Sequence, residues 1–173
     1  MKKIWFIPVI TVALLLSNLS YGQTSWTKYS SSLGSFSINF PGAYEESTQM
    51  DTSDAGKPFK IHFASYTPND DVVYMAGWID MYNIYPADKS LKQILEDSRD
   101  GAMESLKATN IKTLNTSLVG EPYIEFTFGS EDMVGKERIY LINKFQYSII
   151  TLFAKTKVLP ADADKFITSF KHL

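Results

Sequence analysis

Cysteine is absent from this 173-residue chain, and histidine is nearly so, with only His62 and His172. The first absence excludes disulfide bonds, cysteine-ligated metal centres, thiol catalysis and a lipid-modified cysteine. The second leaves little for a hydrolytic triad, which needs a nucleophile, a base and an orienting acid within reach of one another. His62 lies in a strand pattern beside Lys60, and His172 is the penultimate residue, where chains usually fray. We therefore predict no catalytic residue of this kind.

Excess positive charge and phosphate-binding loops are also missing. Lysine and arginine together number 17 against 19 acidic residues, for a net charge of −2. Without a basic stripe, nucleic acid is not an expected partner. No Gly-x-Ser-x-Gly elbow occurs, and glycine is never spaced as in a phosphate or dinucleotide loop. The oxygen-rich segment 69–71 and the pair Asp162 and Asp164 do not follow the EF-hand pattern, so we predict neither a metal nor a cofactor.

The N-terminus carries a hydrophobic run that is short for a membrane span. Lys2 and Lys3 precede the apolar stretch 4–16, and the polar stretch 17–22 has small residues at positions −3 and −1 before Gln23. This pattern is typical of a secretory signal peptide, whereas a membrane-spanning helix needs about 20 apolar residues. We predict a signal peptide at 1–22 that is cleaved before Gln23. The mature protein would be periplasmic or secreted, with no stable membrane anchor.

Residues 23–173 have the length and apolar content of a single domain, with 45% hydrophobic residues in the whole chain. Strand patterns alternate along most of this region. In the polar segment 43–57, residues 51–56 favour a loop that interrupts an irregular strand. Ser90 and Gln93 fit a capping box that begins a helix over 90–107. A second helix is predicted over 161–170, preceded by Pro160. The strand segments are listed here: 36–40, 59–64, 72–82, 110–119, 123–128, 133–142 and 145–154.

Asn143 and Lys144 are predicted to form a two-residue hairpin turn, because asparagine tolerates the positive φ of a type I′ turn. This register places Tyr140 opposite Tyr147. It also makes both sides of the sheet apolar, so that each side needs a cover. The predicted fold class is α+β, with a mostly antiparallel sheet of about six or seven strands sandwiched between two helices, an α/β/α arrangement.

Three short motifs stand out: Gly34-Ser35-Phe36-Ser37-Ile38-Asn39-Phe40-Pro41 after Trp26, the strand pair Arg138-Ile139-Tyr140-Leu141 and Phe145-Gln146-Tyr147, and the terminal Phe166-Ile167-Thr168-Ser169-Phe170-Lys171. Together they resemble the PsbP-like family, which is named for an extrinsic subunit of photosystem II. The resemblance implies an antiparallel sheet between helices and a binding or assembly role, generally without catalysis. Many exported bacterial members have no known role, so no functional residue carries over.

One sheet face collects the candidate ligand-cleft residues Glu125, Arg138, Tyr140 and Tyr147. The simplest register of the 129–132 turn places Glu125 opposite Lys136. Ordinary cross-strand pairing accounts for these residues, but they would line any cleft on this face. A carboxylate there is the basis of the alternative hypothesis of a periplasmic hydrolase.

Tyr74, Trp78 and Tyr82 form an aromatic row at i, i+4 and i+8 of one strand pattern. Aromatic rows can bind sugars or lipids, but a place in the core beneath a helix is the more ordinary explanation.

Three functions remain open from the sequence. The first is an exported, monomeric, non-catalytic domain that binds an unknown protein or small ligand. The second is the hydrolase, which predicts a concave pocket with a perturbed carboxylate. The third is a scaffold or envelope-assembly factor, which predicts a large exposed apolar patch.

Overall fold

The computed structural model describes residues 25–53, 56–82, 84–85, 87–155 and 161–173. The predicted signal peptide and Pro160 lie outside the described residues. The elements in chain order are β1 (Thr27–Ser31), β2 (Phe36–Phe40), β3 (Glu45–Thr52), β4 (Pro58–Asn69), β5 (Val72–Asp80), α1 (Leu91–Ser105), β6 (Thr109–Ser117), β7 (Tyr123–Gly129), β8 (Met133–Ile142), β9 (Phe145–Ala154), α2 (Ala161–Thr168) and β10 (Lys171–His172).

The described strands form two sheets. The main sheet has seven strands in the order β3-β4-β5-β9-β8-β7-β6, and a small sheet has the order β1-β2-β10. All neighbouring strands are antiparallel, which confirms the predicted antiparallel sheet. After β5 the chain crosses through α1 to the opposite edge and returns by hairpins, so that β9 pairs with β5.

The β8–β9 hairpin has the predicted turn and register. Asn143 and Lys144 have φ values of 50° and 65°, as a type I′ turn requires. Tyr140 lies opposite Tyr147. The alternation along these two strands therefore divides their side chains between the two faces of the main sheet as expected.

The two described helices, α1 and α2, pack on opposite faces of the main sheet. On what we call the α1 face, Ile94, Leu95 and Met103 of the helix pack with Ile139 and Leu141. On the α2 face, the helix contributes Ala163, Phe166 and Ile167, which pack with sheet residues that include Tyr74 and Ile149. The small sheet shares this second face, contributing Tyr29, Phe36, Ile38 and Phe40. The expected cover of one helix on each side is therefore observed only in part, since α2 and the small sheet cover one face together.

The structure corrects two local predictions. The polar segment 43–57 contains the edge strand β3, which extends through Asp51 and Thr52 into the predicted loop; seven of its eight residues are exposed, so no apolar alternation marks it. Glu125 lies opposite Arg138 and not Lys136, because the turn lies one residue later than assumed, over 130–133, and closes through a hydrogen bond from the Ser130 amide to the Met133 carbonyl. The shift is two residues, which leaves every side chain on its predicted face.

α1 begins at the predicted capping box. The backbone N–H of Gln93 donates to the Ser90 hydroxyl at 3.3 Å, and the backbone N–H of Ser90 donates to the side-chain oxygen of Gln93 at 2.9 Å. We expect Ser90→Ala to lower the free energy of unfolding by about 1 kcal/mol, because a helix-terminal amide loses its acceptor. Urea unfolding measures this, with Ser90→Asp, which retains a capping oxygen, as the control. A loss equal to that of Ser90→Ala in the control would contradict the capping role.

Candidate functional site

The candidate residues Glu125 and Arg138 are joined by an ion pair across β7 and β8 on the α2 face. The Arg138 Nε donates to Glu125 Oε2 at 2.6 Å, and Nη2 contacts the same oxygen. The guanidinium carbon lies 4.8 Å from the ring centroid of Tyr123. The two side chains are largely buried, with relative exposures of 9% for Glu125 and 17% for Arg138. The pair therefore forms a structural cross-strand link.

Lys136 engages the other carboxylate oxygen. Its Nζ lies 3.1 Å from Glu125 Oε1 and 2.7 Å from Asp164 Oδ1. Burial by itself would lower the pKa of Lys136, but the hydrogen bonds to Asp164 and Glu125 outweigh burial and raise it. Lys136 thus ties α2 to the main sheet, and both oxygens of Glu125 contact cations. A carboxylate held in this way is poorly suited to act as a base or nucleophile.

The two candidate tyrosines are parts of the core on the α2 face. Tyr140 accepts a hydrogen bond from Arg138 Nη1 at 3.0 Å and stacks on Phe170 with a centroid separation of 4.4 Å. Tyr147 is fully buried, and its hydroxyl donates to the Gly34 carbonyl at 2.7 Å. Burial raises the pKa of Tyr147. Neither of the two cavities described below is lined by any of the four candidate residues.

The three residues of the aromatic row do not share one environment. Tyr74 and Trp78 are buried in the core of the α2 face, whereas Tyr82 is 69% exposed. Tyr82 lies beyond the end of β5, where the strand alternation that would place it with the other two no longer applies. A core role for Tyr82 was therefore the wrong prediction. Its ring instead lies 4.8 Å from the Nζ of Lys144 in the hairpin turn.

An open cleft of about 440 Å³ lies between the 29–33 segment and the β3–β4 hairpin. Hydroxyl groups dominate its lining, and the aromatic side chains there are Tyr29, His62 and Trp78. The His62 ring stacks on Trp78 with a centroid separation of 5.1 Å and an interplanar angle of 17°. The remaining lining residues are Ser30, Ser31, Ser32, Leu33, Glu46, Ser47 and Thr48.

The cleft is held by two hydrogen bonds that reach β3. The Tyr29 hydroxyl donates to Glu46 Oε2 at 3.1 Å, and Thr48 Oγ1 lies 3.1 Å from His62 Nδ1. Burial, with a smaller contribution from the Glu46 carboxylate, raises the pKa of Tyr29 to about 12. Burial and the Lys60 cation lower the pKa of His62. At neutral pH the cleft therefore presents an uncharged phenol and an uncharged imidazole.

A second, smaller cavity of about 40 Å³ lies under α1 and contains a carboxyl group that the sequence predictions missed. Glu137 is 1% exposed, and Oε2 is buried without a hydrogen-bond partner among the described residues. Burial raises the pKa of Glu137 to about 7, partly offset by the hydrogen bond that Ser148 donates. The strand alternation held a signal for this site, since Glu137 precedes Ile139 by two residues and shares its apolar face.

Two kinds of feature are missing from the described residues. No group of three or more histidine or acidic side chains in this part of the chain is arranged to hold a metal ion. None of the described helices has both the length and the apolar character needed to cross a membrane. Exposed apolar side chains, the feature expected of a scaffold, occur along β6 and in the turn that follows it: Ile111, Leu114, Leu118 and Val119.

Comparisons with known proteins bear on the fold. No family model matches the chain, and no curated protein matches it. Among solved structures, the chain is similar to the solution structure of cyanobacterial PsbP (CyanoP) from Synechocystis sp. PCC 6803. The TM-score is 0.53 at 13% sequence identity, and the match covers 92% of this chain and 99% of that chain. Similarity at this identity shows the fold, and it agrees with the predicted α+β class and antiparallel sheet. The chain therefore has a PsbP-like fold.

Proposed function

We propose that this protein is an exported, non-catalytic binding domain that takes a small polyhydroxylated ligand, such as a sugar, in the open cleft beside His62 and Trp78. The observation that carries the proposal is the chemistry of that cleft. Its volume lies in the range of about 300–1,000 Å³ that is typical of small-molecule sites. The N-terminal pattern of residues 1–22 supports export, and the PsbP-like fold supports a binding role.

The lining of the cleft favours a neutral ligand with many hydroxyl groups. The hydroxyls of Ser30, Ser32, Ser47 and Thr48 can each donate and accept, which suits a ligand that does both. The partly exposed His62 ring, which stacks on the buried Trp78, adds an apolar surface of the kind that packs against the C–H face of a sugar. The acidic side chain that lines the cleft is Glu46, a hydrogen-bond acceptor that disfavours anionic ligands.

The hydrolase and scaffold hypotheses receive less support. Both carboxylate oxygens of Glu125 contact cations, and neither of the two described cavities adjoins that carboxylate. The exposed apolar side chains of β6 and the following turn suit a scaffold, but a concave site with convergent polar groups is the more specific feature. We therefore place the binding function in the cleft.

We expect NMR titration with neutral mono- and disaccharides (glucose, galactose, N-acetylglucosamine, maltose and cellobiose) to give saturable amide shifts near residues 30–33, 47–48 and 62. Thr48→Val should weaken binding about fivefold, since it removes one hydrogen-bonding hydroxyl worth about 1 kcal/mol. Valine keeps the shape and the strand preference of threonine. Thr116→Val, on the opposite edge strand and also exposed, is the matched control and should bind as the wild type does.

Absence of saturable shifts with every sugar in the panel would overturn the proposal. So would saturable shifts confined to residues far from the cleft. An equal loss of affinity in Thr48→Val and Thr116→Val would show that the effect does not come from the cleft.

A further inference from the structure

The cavity under α1 is lined by four polar side chains that belong to three elements. Glu137 extends from β8, Gln146 and Ser148 from β9, and Ser98 from α1. Ser148 Oγ donates to Glu137 Oε1 at 2.5 Å, and Ser98 Oγ donates to Gln146 Oε1 at 2.8 Å. All four groups face the same small space, about 40 Å³ in volume.

The polar side chains that line this cavity have more hydrogen-bond acceptors than donors. Ser98 and Ser148 each use their single donor hydrogen in the bonds described above, which leaves oxygen lone pairs. Glu137 Oε2 is buried without a partner among the described residues, an arrangement that is costly for a carboxyl group. When Glu137 is ionised, the polar side chains of the cavity offer only acceptors, apart from the amide nitrogen of Gln146. A ligand that complements them must be rich in donors.

The remaining walls of the cavity are apolar and give it an entrance. Ile61, Met75, Ile79 and Ile139 line the sheet side. The cavity is not fully closed, and two of its lining residues, Phe63 and Ser148, are only partly buried. An added Cβ at Gly77 would lie 3.2 Å from the Phe63 ring, so glycine at this position lets that ring lie against the strand beside the cavity. An aliphatic chain would pack well along such an entrance.

We propose that this cavity binds the ammonium group of a primary alkylamine, which donates to Glu137 Oε2 and to the lone pairs of Ser148 and Gln146 while its alkyl chain packs along the apolar entrance. A primary ammonium carries three donors and no acceptor. The volume holds about three water-sized groups, which fits the nitrogen and the first carbons of the chain. The site is separate from the open cleft and does not depend on the function proposed for it.

The charge of the site comes from Glu137 alone among the described side chains that line it. The lining residues of α1 are Ser98 and Ala102, those of β9 are Gln146 and Ser148, and those of β4 and β5 are apolar or glycine. None of these groups titrates. Ammonium binding requires an ionised Glu137, so the affinity should increase between pH 5.5 and pH 8.5.

The test is NMR titration of the full mature chain with propylammonium chloride, and with tetramethylammonium chloride at equal concentration as a cation without N–H donors. We expect saturable amide shifts at residues 98, 137, 146 and 148 with propylammonium and none with tetramethylammonium. A ligand of four non-hydrogen atoms should bind with a Kd on the order of 1 mM or weaker. Nα-acetyl-lysine methylamide is the third ligand, since the same group occurs on a lysine side chain. Tighter binding of propylammonium would assign the site to free amines, and tighter binding of the lysine derivative to a peptide.

Two variants make the outcome decisive. Glu137→Gln keeps the shape of the side chain, and we expect at least tenfold weaker binding of propylammonium. Ala102→Leu fills the cavity from α1 and should abolish the shifts. This second variant tests the site independently if Glu137→Gln folds poorly. The proposal fails if tetramethylammonium produces the same shifts, if Glu137→Gln binds propylammonium like the wild type, or if no ligand gives saturable shifts at pH 8.5.

Discussion

Glu137→Gln is expected to remove most of the loss of stability that the wild type suffers between pH 5 and pH 8.5. The carboxyl has an ordinary pKa of 4.5, and burial raises it to about 7 in the folded protein. Between these values the unfolded chain releases a proton that the folded chain retains. The stability contribution of this group is therefore complete below about pH 4.5 and is lost as the pH rises through about 7.

The size of the effect follows from the two pKa values. One pKa unit corresponds to about 1.4 kcal/mol, so a rise from 4.5 to about 7 corresponds to about 3 kcal/mol of unfolding free energy. Glutamine cannot ionise, so the variant lacks this dependence. His62 has a lowered pKa and makes stability fall toward acid pH, but both proteins contain it and it cancels in the comparison.

Urea unfolding at pH 5 and pH 8.5 measures the prediction. When the pH rises from 5 to 8.5, the unfolding free energy of Glu137→Gln should increase by about 3 kcal/mol relative to that of the wild type. Glu104→Gln changes an exposed carboxylate on α1 and should retain the wild-type pH profile. Parallel pH profiles for Glu137→Gln and the wild type would show that the carboxyl is ionised at both pH values.

Glu125→Gln is expected to destabilise the protein by on the order of 3 kcal/mol at pH 7, because it leaves Arg138 and Lys136 without the carboxylate between them. The three side chains are between 9% and 17% exposed, so solvent screens the remaining charges only partly. Within the described part of the chain, Lys136 keeps its contact with Asp164, whereas Arg138 keeps only its contacts with tyrosines. Urea unfolding gives the value directly.

Two comparisons separate this structural role from the hydrolase hypothesis. The double variant Glu125→Leu with Arg138→Leu should recover part of the loss, since it leaves one fewer unpaired charge. Glu131→Gln, an exposed acidic residue in the adjacent turn, should leave the unfolding midpoint unchanged. A Glu125→Gln protein as stable as the wild type would contradict the structural role and would return attention to a chemical one.

Local rules sufficed for the elements whose signals are contained in neighbouring residues. The Asn143-Lys144 turn and the Ser90 cap depend on positive φ and on a side chain that reaches a nearby amide. Both were predicted correctly. The two-sided character of β8 and β9 also follows from simple alternation. β3 could not be found in this way, because it is exposed along its length and is held by pairing with β4.

The candidate cleft residues on the Glu125 face depend on contacts that the sequence could not predict. The sequence placed Glu125, Arg138, Tyr140 and Tyr147 on one face, and the structure agrees. The sequence could not reveal that Phe170 stacks on Tyr140 or that the Gly34 carbonyl accepts a hydrogen bond from the Tyr147 hydroxyl, because these contacts join segments more than 25 residues apart. Those contacts make the region part of the core.

The two cavities were likewise outside the reach of pattern analysis. His62 meets Trp78 and Thr48 only after β3, β4 and β5 have paired, and Glu137 meets Ser98 only when α1 has crossed the sheet. Before that packing, Glu137 differs from an ordinary surface glutamate only in its position on an apolar face.

By itself, the sequence determined the α+β class, the hairpin at 143–144 and the apolar character of both sheet faces, because alternation, capping and turn preference act between residues close along the chain. Only the tertiary structure decided that the small sheet shares a face with α2, that Glu125 is held between two cations and that the pKa of Glu137 is raised. Burial and charge pairing are properties of what surrounds a side chain, and here the surroundings come from distant parts of the chain.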